Sequence, residues 1–397
     1  MKLHHNLAEA IVISLDKILG EGSYADKVIE KTLKLNSRWH GQDKRFIAET
    51  IYDIVRSYRL LKEISSAKGD DFWSLLGAWC VIHKIELPRW DEFNKLKPKN
   101  VLAKLEEVKS NRRILESIPN WLDELGEKEL GAERWEKEIP ALNGDSSVVL
   151  RVNKLKTTRV ELKEQLEQHF VMTEAPDGFP DALILTKWYN VFSLPQFKEG
   201  LFEVQDAASQ LIAPFLRLEP GLRVIDACAG TGGKTLHLAS LMKSKGRIIA
   251  MDTEEWKLDE VRKRSRRAGV SNVETKLIDS SKALKRLANS ADRLLLDVPC
   301  SGLGVLKRNP DAKWKLSAEY IEKVKTTQHQ ILKNYSALLK KGGMMVYSTC
   351  SILPSENEGQ VQHFLKENPE QFQLIEERHT FPSEGFDGFY MALLKRV

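Results

Sequence analysis

The second half of this chain predicts a Rossmann-like α/β domain, a doubly wound and mostly parallel sheet. Three observations predict it. From Asp206 onward short apolar runs alternate with amphipathic stretches, placing strands over 223–226, 247–252, 273–278, 292–297 and 344–350 and helices over 233–243, 254–268 and 317–340. A glycine-rich turn joins the first of these strands to the first helix, where backbone can approach a ligand closely. Two of the strands are apolar almost throughout, as strands covered on both faces are, and each runs out at a cysteine: Cys300 and Cys350.

The first ~140 residues read differently, as helices at the 3.6-residue period. Leu7, Ile11, Val12, Leu15, Ile18 and Leu19 share one face, and Gly20 is placed to end that helix. Asp43 is placed to cap the next, whose stripe runs Phe46, Ile47, Ile51, Ile54, Val55, Tyr58 and Leu61. Its polar side offers Lys44, Arg45, Arg56 and Arg59, either a solvated basic face or a surface that tracks phosphates. A helix follows from Phe72 to Lys84, then a charged, weakly periodic region to about Asn111, and Ile118-Pro119-Asn120-Trp121 restarts a helix. Near Ser146 the period changes: 147–152 and 182–186 alternate like strands around a helix from Thr157 to Phe170, a small α+β module. The expected division is therefore 1–140, 141–205 and 206–397.

Composition narrows the function classes. A chain of 397 residues with 29% charged and 42% hydrophobic residues is that of a globular protein, and its net charge of +5 permits a nucleic-acid partner without requiring one. No apolar run approaches a membrane span, and the opening Met-Lys-Leu-His-His-Asn lacks the pattern of a signal peptide. The four cysteines include no Cys-x-x-Cys pair, so neither a disulfide framework nor a zinc site is expected. A reducing, cytoplasmic location fits. Trp39, Trp121, Trp188 and Trp314 read as packing residues rather than platforms for bases.

The glycine turn, Cys228-Ala229-Gly230-Thr231-Gly232-Gly233-Lys234-Thr235, has three competing identities. Thr235 stands where a dinucleotide fingerprint needs its third glycine, and Cys228 where a P-loop needs its first. The strand-end carboxylates choose between ligands. Asp252, Asp279 and Asp297 close three successive strands, which suits a ribose and an ammonium group and repels a triphosphate. S-adenosylmethionine is the cofactor that fits.

At these residues the chain resembles the RsmB/Sun group of RNA cytosine-5 methyltransferases. The resemblance lies in Cys228–Thr235, Asp297-Val298-Pro299-Cys300-Ser301-Gly302 and Ser348-Thr349-Cys350-Ser351, and also in Val204–Ser209, Arg308-Asn309-Pro310-Asp311 and Asp387–Ala392. It covers roughly residues 118–397. The stretch from Asp43 to Arg56 is similar to the NusB-like RNA-binding domain that RsmB-type members carry. Many relatives read Ala-Pro-Gly-Gly-Lys-Thr where Gly230-Thr231 stand here before Gly232. The resemblance implies that Cys350 is the nucleophile, that Cys300 assists product release, and that Cys228, Ala229, Gly230, Thr231, Gly232, Gly233, Lys234, Asp252, Asp279 and Asp297 line the cofactor site. It implies RNA as the partner, ribosomal RNA before transfer RNA, with Lys44, Arg45, Arg56, Arg308 and Asn309 as candidate contacts, and a monomer that needs no metal or membrane.

Chemistry supports those roles independently. Carbon 5 of cytosine is too poor a nucleophile to take a methyl group directly, and a thiolate adding to carbon 6 makes it enamine-like. Asp297 is the expected partner for the ring's N3, and a second thiol at Cys300 could act as, or position, the base that removes the carbon-5 proton. Two rival readings are a catalytically idle RNA-binding assembly factor and a P-loop NTPase. The basic helix 254–268, with Lys257, Arg262, Lys263, Arg264, Arg266 and Arg267, is either a solvated face or a further phosphate contact.

Overall fold

The computed structural model describes residues 3–397 and divides into two compact units. One gathers the chain up to Asp145 together with Leu306–Ala318; the other holds Ser146–Val305 and Glu319–Val397. Among the described residues no helix is long and apolar enough to cross a membrane.

The first unit is helical. His5–Leu15 continues as a wider turn over Asp16–Gly20, and Ala25–Leu35, Gly41–Arg56, Tyr58–Ser65, Phe72–Ile82, Pro98–Val108, Asn120–Leu130 and Ala132–Asn143 follow. The apolar stripe behaves as its spacing demands: Ile47, Ile51, Ile54 and Val55 are wholly buried in the core. Asp43 stands in the first turn of Gly41–Arg56 rather than at its cap, and its carboxylate accepts the N–H of His40 (3.0 Å). The charged region before Asn111 contains a true helix, Pro98–Val108. Its pattern is weak because Val101 is its one fully buried residue.

Leu306–Ala318 is the surprise of this unit, because in sequence it interrupts the predicted α/β domain. Lys313 is buried, and its ammonium donates to the carbonyl of Arg56 (2.8 Å), that of Ser117 (3.2 Å) and Asn143 Oδ1 (2.7 Å). Those three acceptors use every N–H it has, while burial pushes its pKa down to about 7. Trp314 Nε1 donates to the Val55 carbonyl (2.7 Å), and Asp311 accepts the N–H of Ala25 (3.2 Å) at the start of a helix whose own cap residue, Tyr24, offers no acceptor.

The second unit has two sheets. The smaller is antiparallel, in the order β2 (Thr173–Glu174), β3 (Ala182–Leu185), β1 (Val149–Val152), β4 (Phe202–Val204), with the helix Arg159–Gln168 begun by a Thr158/Glu161 capping box. The larger has seven strands: β5 (Arg223–Asp226), β6 (Arg247–Asp252), β7 (Val273–Leu277), β8 (Ala291–Asp297), β9 (Leu339–Thr349), β10 (Phe372–Thr380) and β11 (Phe389–Arg396). Their order is β10-β11-β9-β8-β5-β6-β7. Five are parallel as predicted; β11 and β10 add an antiparallel margin that the alternation did not reveal. From β5 the chain winds first towards β7 and later towards β9, so strand order reverses at β5, and ligands of such sheets bind at the carboxyl ends there. Apolar residues cover both faces of the sheet.

Candidate active site

The candidate site gathers where the parallel strands stop. The glycine turn leaves β5 through Gly230 and Gly232, both at positive φ (53° and 89°). A Cβ on Gly232 would also meet Val261 at 3.1 Å, so this turn needs glycine for conformation and for space. Asp252, at the end of β6, accepts the N–H of Gly230 (3.0 Å) and of Glu254 (3.0 Å), and lies 3.6 Å from Lys257 Nζ. It therefore shapes the turn as well as facing the cavity beside it.

That cavity holds about 500 Å³ and is lined by Cys228, Asp252, Ile278, Pro299, Ile331 and Tyr335 among others. Apolar walls with one buried carboxylate suit a purine and its ribose. Burial pushes the Cys228 thiol well above its ordinary pKa, making it a neutral wall. Asp226, fully buried behind the turn, accepts Thr235 Oγ1 (2.7 Å); burial raises its carboxyl to about 7. Asp279 is exposed, hydrogen-bonded to the hydroxyl of Ser280 (3.0 Å), and is not part of the cavity lining.

Lys234 and Asp297 form a second centre. Lys234 Nζ donates to Asp297 Oδ2 at 2.6 Å, and Ser348 Oγ donates to Oδ1 at 2.9 Å. Burial opposes the charge on Lys234, but the adjacent carboxylate outweighs it and holds the ammonium above its usual pKa. The parallel register that pairs Asp297 with Ser348 brings the two cysteine loops side by side. Cys300 Sγ lies 3.2 Å from Cys350 Sγ, and the Cys350 N–H points at Cys300 Sγ (3.3 Å). The hydrogen bond to Cys350, then burial, pushes the Cys300 thiol well above its ordinary pKa. The Cys350 carbonyl in turn accepts the N–H of Gly304 (2.9 Å), at a contact so close that a Cβ on Gly304 would strike the Gly388 carbonyl. Cys80, by contrast, is a packing residue of the helical core, raised by burial to about 12.

Most basic side chains named from sequence have local partners. In the helical unit Arg45 pairs with Glu49 (2.7 Å); the largely buried Arg56 pairs with Asp53 (2.8 Å) and donates to the Lys307 carbonyl (3.2 Å). Lys44 and Arg308 are half-buried and Asn309 is exposed. In the helix Glu255–Ala268, Arg264 (2.9 Å) and Arg267 (2.5 Å) both hold the buried Glu203 of β4, and Arg262 and Lys263 pair with acids of their own helix. Trp39 is buried and Trp121 and Trp314 half-buried, but Trp188 is 59% exposed, against expectation. It follows β3 in an irregular stretch, beside the exposed Tyr189 and Phe192.

The one potential metal-ligand group among the described residues, His329, His363 and Glu367, is partly exposed, stands on the helices Ala318–Tyr335 and Glu358–Glu367, and includes neither cysteine. Sequence reading passed over Glu356 and Asn357, both wholly buried against the cysteine loops. A charged residue in a short loop gave no periodic signal.

Residues 213–395 match a family described as 16S rRNA methyltransferase RsmB/F, and residues 118–192 match the RsmF/B-like ferredoxin-like domain. Over 383 residues, 87% of this chain and 86% of the other, the sequence is 33% identical to a "Probable ribosomal RNA small subunit methyltransferase B" of Synechocystis sp.. It is 36% identical over 287 residues, 70% of this chain and 65% of the other, to the "Ribosomal RNA small subunit methyltransferase B" of Vibrio cholerae. Among solved structures, the protein PH0851 superposes with a TM-score of 0.84 at 25% identity, covering 100% of this chain and 99% of that one.

Proposed function

We propose, from the premise that this chain belongs to the RsmB/F family of S-adenosylmethionine-dependent methyltransferases, that it methylates carbon 5 of a cytosine in small-subunit ribosomal RNA through a covalent adduct on Cys350. The observation that carries the reading is the pair of thiols, 3.2 Å apart at the ends of neighbouring strands. A methyl transfer to nitrogen or oxygen has no use for such a pair.

The residues of the turn Cys228–Lys234, with Asp252, would hold the cofactor, which supplies an electrophilic methyl group. Cys350 as thiolate adds to carbon 6 of the cytosine, and the pyrimidine's carbon 5 becomes nucleophilic. Asp297, held by Lys234 and Ser348, faces the ring's N3 and stabilises a proton there. After methylation carbon 5 gives up its proton, the electron pair reforms the 5,6 double bond, and Cys350 leaves. Cys300 as thiol gives its proton to the departing sulfur, and the Cys300 thiolate so formed takes up the proton released from carbon 5, so both cysteines end as thiols. The RNA itself is gripped by the NusB-like helical part and the small α+β module, through Lys44, Arg45, Arg308 and Asn309 and through the exposed Trp188, Tyr189 and Phe192, which offer stacking faces to unpaired bases.

Two cysteine variants test this. Cys350→Ala is expected to abolish turnover and any covalent RNA adduct. Cys300→Ala is expected to form the adduct and stall, leaving a protein–RNA band on a denaturing gel in the presence of S-adenosylmethionine. Bands in the opposite variants would reverse the roles, and full activity in both would make the thiols packing residues.

A further inference from the structure

Glu356 has no exposed surface, yet four donors converge on its carboxylate. The backbone N–H of Ser301 (2.8 Å) and Gln328 Nε2 (2.9 Å) reach Oε2; the hydroxyls of Ser301 (2.5 Å) and Ser351 (2.6 Å) reach Oε1. Four is the full complement a carboxylate accepts. The donors are not scattered. Ser301 follows Cys300 and Ser351 follows Cys350. Gln328, itself wholly buried on the helix Ala318–Tyr335, also donates to the carbonyl of Pro299 (3.0 Å), so Cys300 is held from both sides. Asn357 completes the arrangement: it accepts Thr349 Oγ1 (2.5 Å) and donates to the Ser351 carbonyl (3.0 Å), bracketing Cys350. The Tyr347 hydroxyl donates to the backbone carbonyl of Glu356 (2.7 Å) and anchors it.

A buried carboxylate is costly unless its hydrogen bonds are complete, and an apolar side chain of the same size would fill this space at lower cost. A core under no other demand would not keep it. What the carboxylate does here is bring two loops, fifty residues apart in sequence, to a single point. We infer that Glu356 is a positioning residue that fixes Cys300 and Cys350 at reacting distance, acting through Ser301, Ser351 and Gln328 and touching neither thiol. That this distance matters for turnover rests on the proposed covalent mechanism; the positioning of the thiols does not.

Glu356→Gln keeps the volume but puts an amide nitrogen where two donors already point, so the cluster cannot close. Two measurements on the full-length protein separate geometry from chemistry. The first is the rate at which diamide oxidises the pair: the two thiols lose two protons and two electrons to the reagent, which becomes its hydrazine, and a Sγ–Sγ bond forms, read by peptide mapping of the Cys300–Cys350 link. The second is steady-state methylation of RNA, with cofactor affinity and thermal unfolding as checks on the fold. Glu356→Gln is expected to slow disulfide formation about tenfold or more and to lower kcat by about 100-fold, the scale of an ångström-sized misplacement, with KM for RNA changed less than about threefold. Should Glu356→Gln fail to fold, Ser301→Ala combined with Ser351→Ala removes two of the four donors and carries the same comparison. An unchanged disulfide rate in a folded variant overturns the inference. A slowed disulfide with normal kcat supports the positioning role while sinking the part proposed for Cys300 in turnover.

Discussion

The carboxyl edge of the large sheet and the core of the helical unit both bury charge, and they do so to different ends. At the sheet edge, buried and half-buried acids hold loops and site side chains: the buried Asp252 the glycine turn, the half-buried Asp297 Lys234 and Ser348, the buried Glu356 the two cysteine loops. In the helical unit the buried charges tie helices. Asp123, 1% exposed, accepts from Arg112 (2.9 Å), Arg113 (2.7 Å) and Trp135 Nε1 (2.8 Å), and Lys313 satisfies three carbonyl-type acceptors. The lesson is that a buried ion is informative through what its partners do. Beside strand ends and glycine turns the partners are loops of the candidate site; between helices they are the scaffold. Substitutions should therefore cost turnover in the first region and stability in the second.

Asp226 gives the largest effect and the sharpest exception. Its carboxyl titrates near 7 in the fold and near 4 in the unfolded chain, so between those values the folded state holds a proton that the unfolded state has released. Stability should fall as pH rises from 4 through 7, on the order of 4 kcal/mol in all, and Asp226→Asn should flatten that slope in urea titrations. A slope identical in both proteins would remove Asp226 as its source.

Lys234→Met should come next. It leaves Asp297 without its cation, and single-turnover methyl transfer should fall by about 100-fold or more, roughly 3 kcal/mol, with the melting temperature moving by a few degrees. A variant that is strongly destabilised and yet transfers methyl groups at the normal rate would break the division between the two regions.

Asp123→Ala is the converse. Its loss leaves the buried Trp135 Nε1 without an acceptor and strips two half-exposed arginines of their buried partner, leaving them only Glu127 and Glu124, at a cost of about 2–3 kcal/mol of stability. Cofactor affinity by calorimetry should not change. The carboxyl of Asp123 is buried, which opposes ionisation, but Trp135 and the two arginines hold it below its usual pKa. Its contribution is therefore present above about pH 4 and lost as pH falls through its lowered value.

The smallest effect belongs to the exposed helical surface. Lys44→Ala with Arg45→Ala should weaken RNA binding only severalfold and reduce the salt dependence by about one counterion for each phosphate interaction abolished. Deleting residues 1–140 would be a poor substitute, because Leu306–Ala318 would lose the helices it packs with. An unchanged salt slope would take this surface out of RNA recognition.

What the sequence determined by itself is local. Period and punctuation placed the five parallel strands, because a buried strand must be apolar and must stop where glycine, proline or a charge begins. The same logic put Asp252, Asp297, Cys300 and Cys350 at strand ends, and the Gly230–Gly233 turn had few conformations open to it. The tertiary structure decided everything that depends on pairing across distance. The antiparallel strand β10 looks in sequence like any mixed stretch, since Phe372–Thr380 exposes most of its residues, and β11, an apolar run over Phe389–Leu394, carries no sign of its direction or of its neighbours. Leu306–Ala318 carries no sign that it belongs with the helices, because Lys313 and Asp311 find their partners more than a hundred residues away. The 3.2 Å between two thiols and the four donors around Glu356 arise from the register of β8 against β9, and register is a property of two strands that neither contains alone.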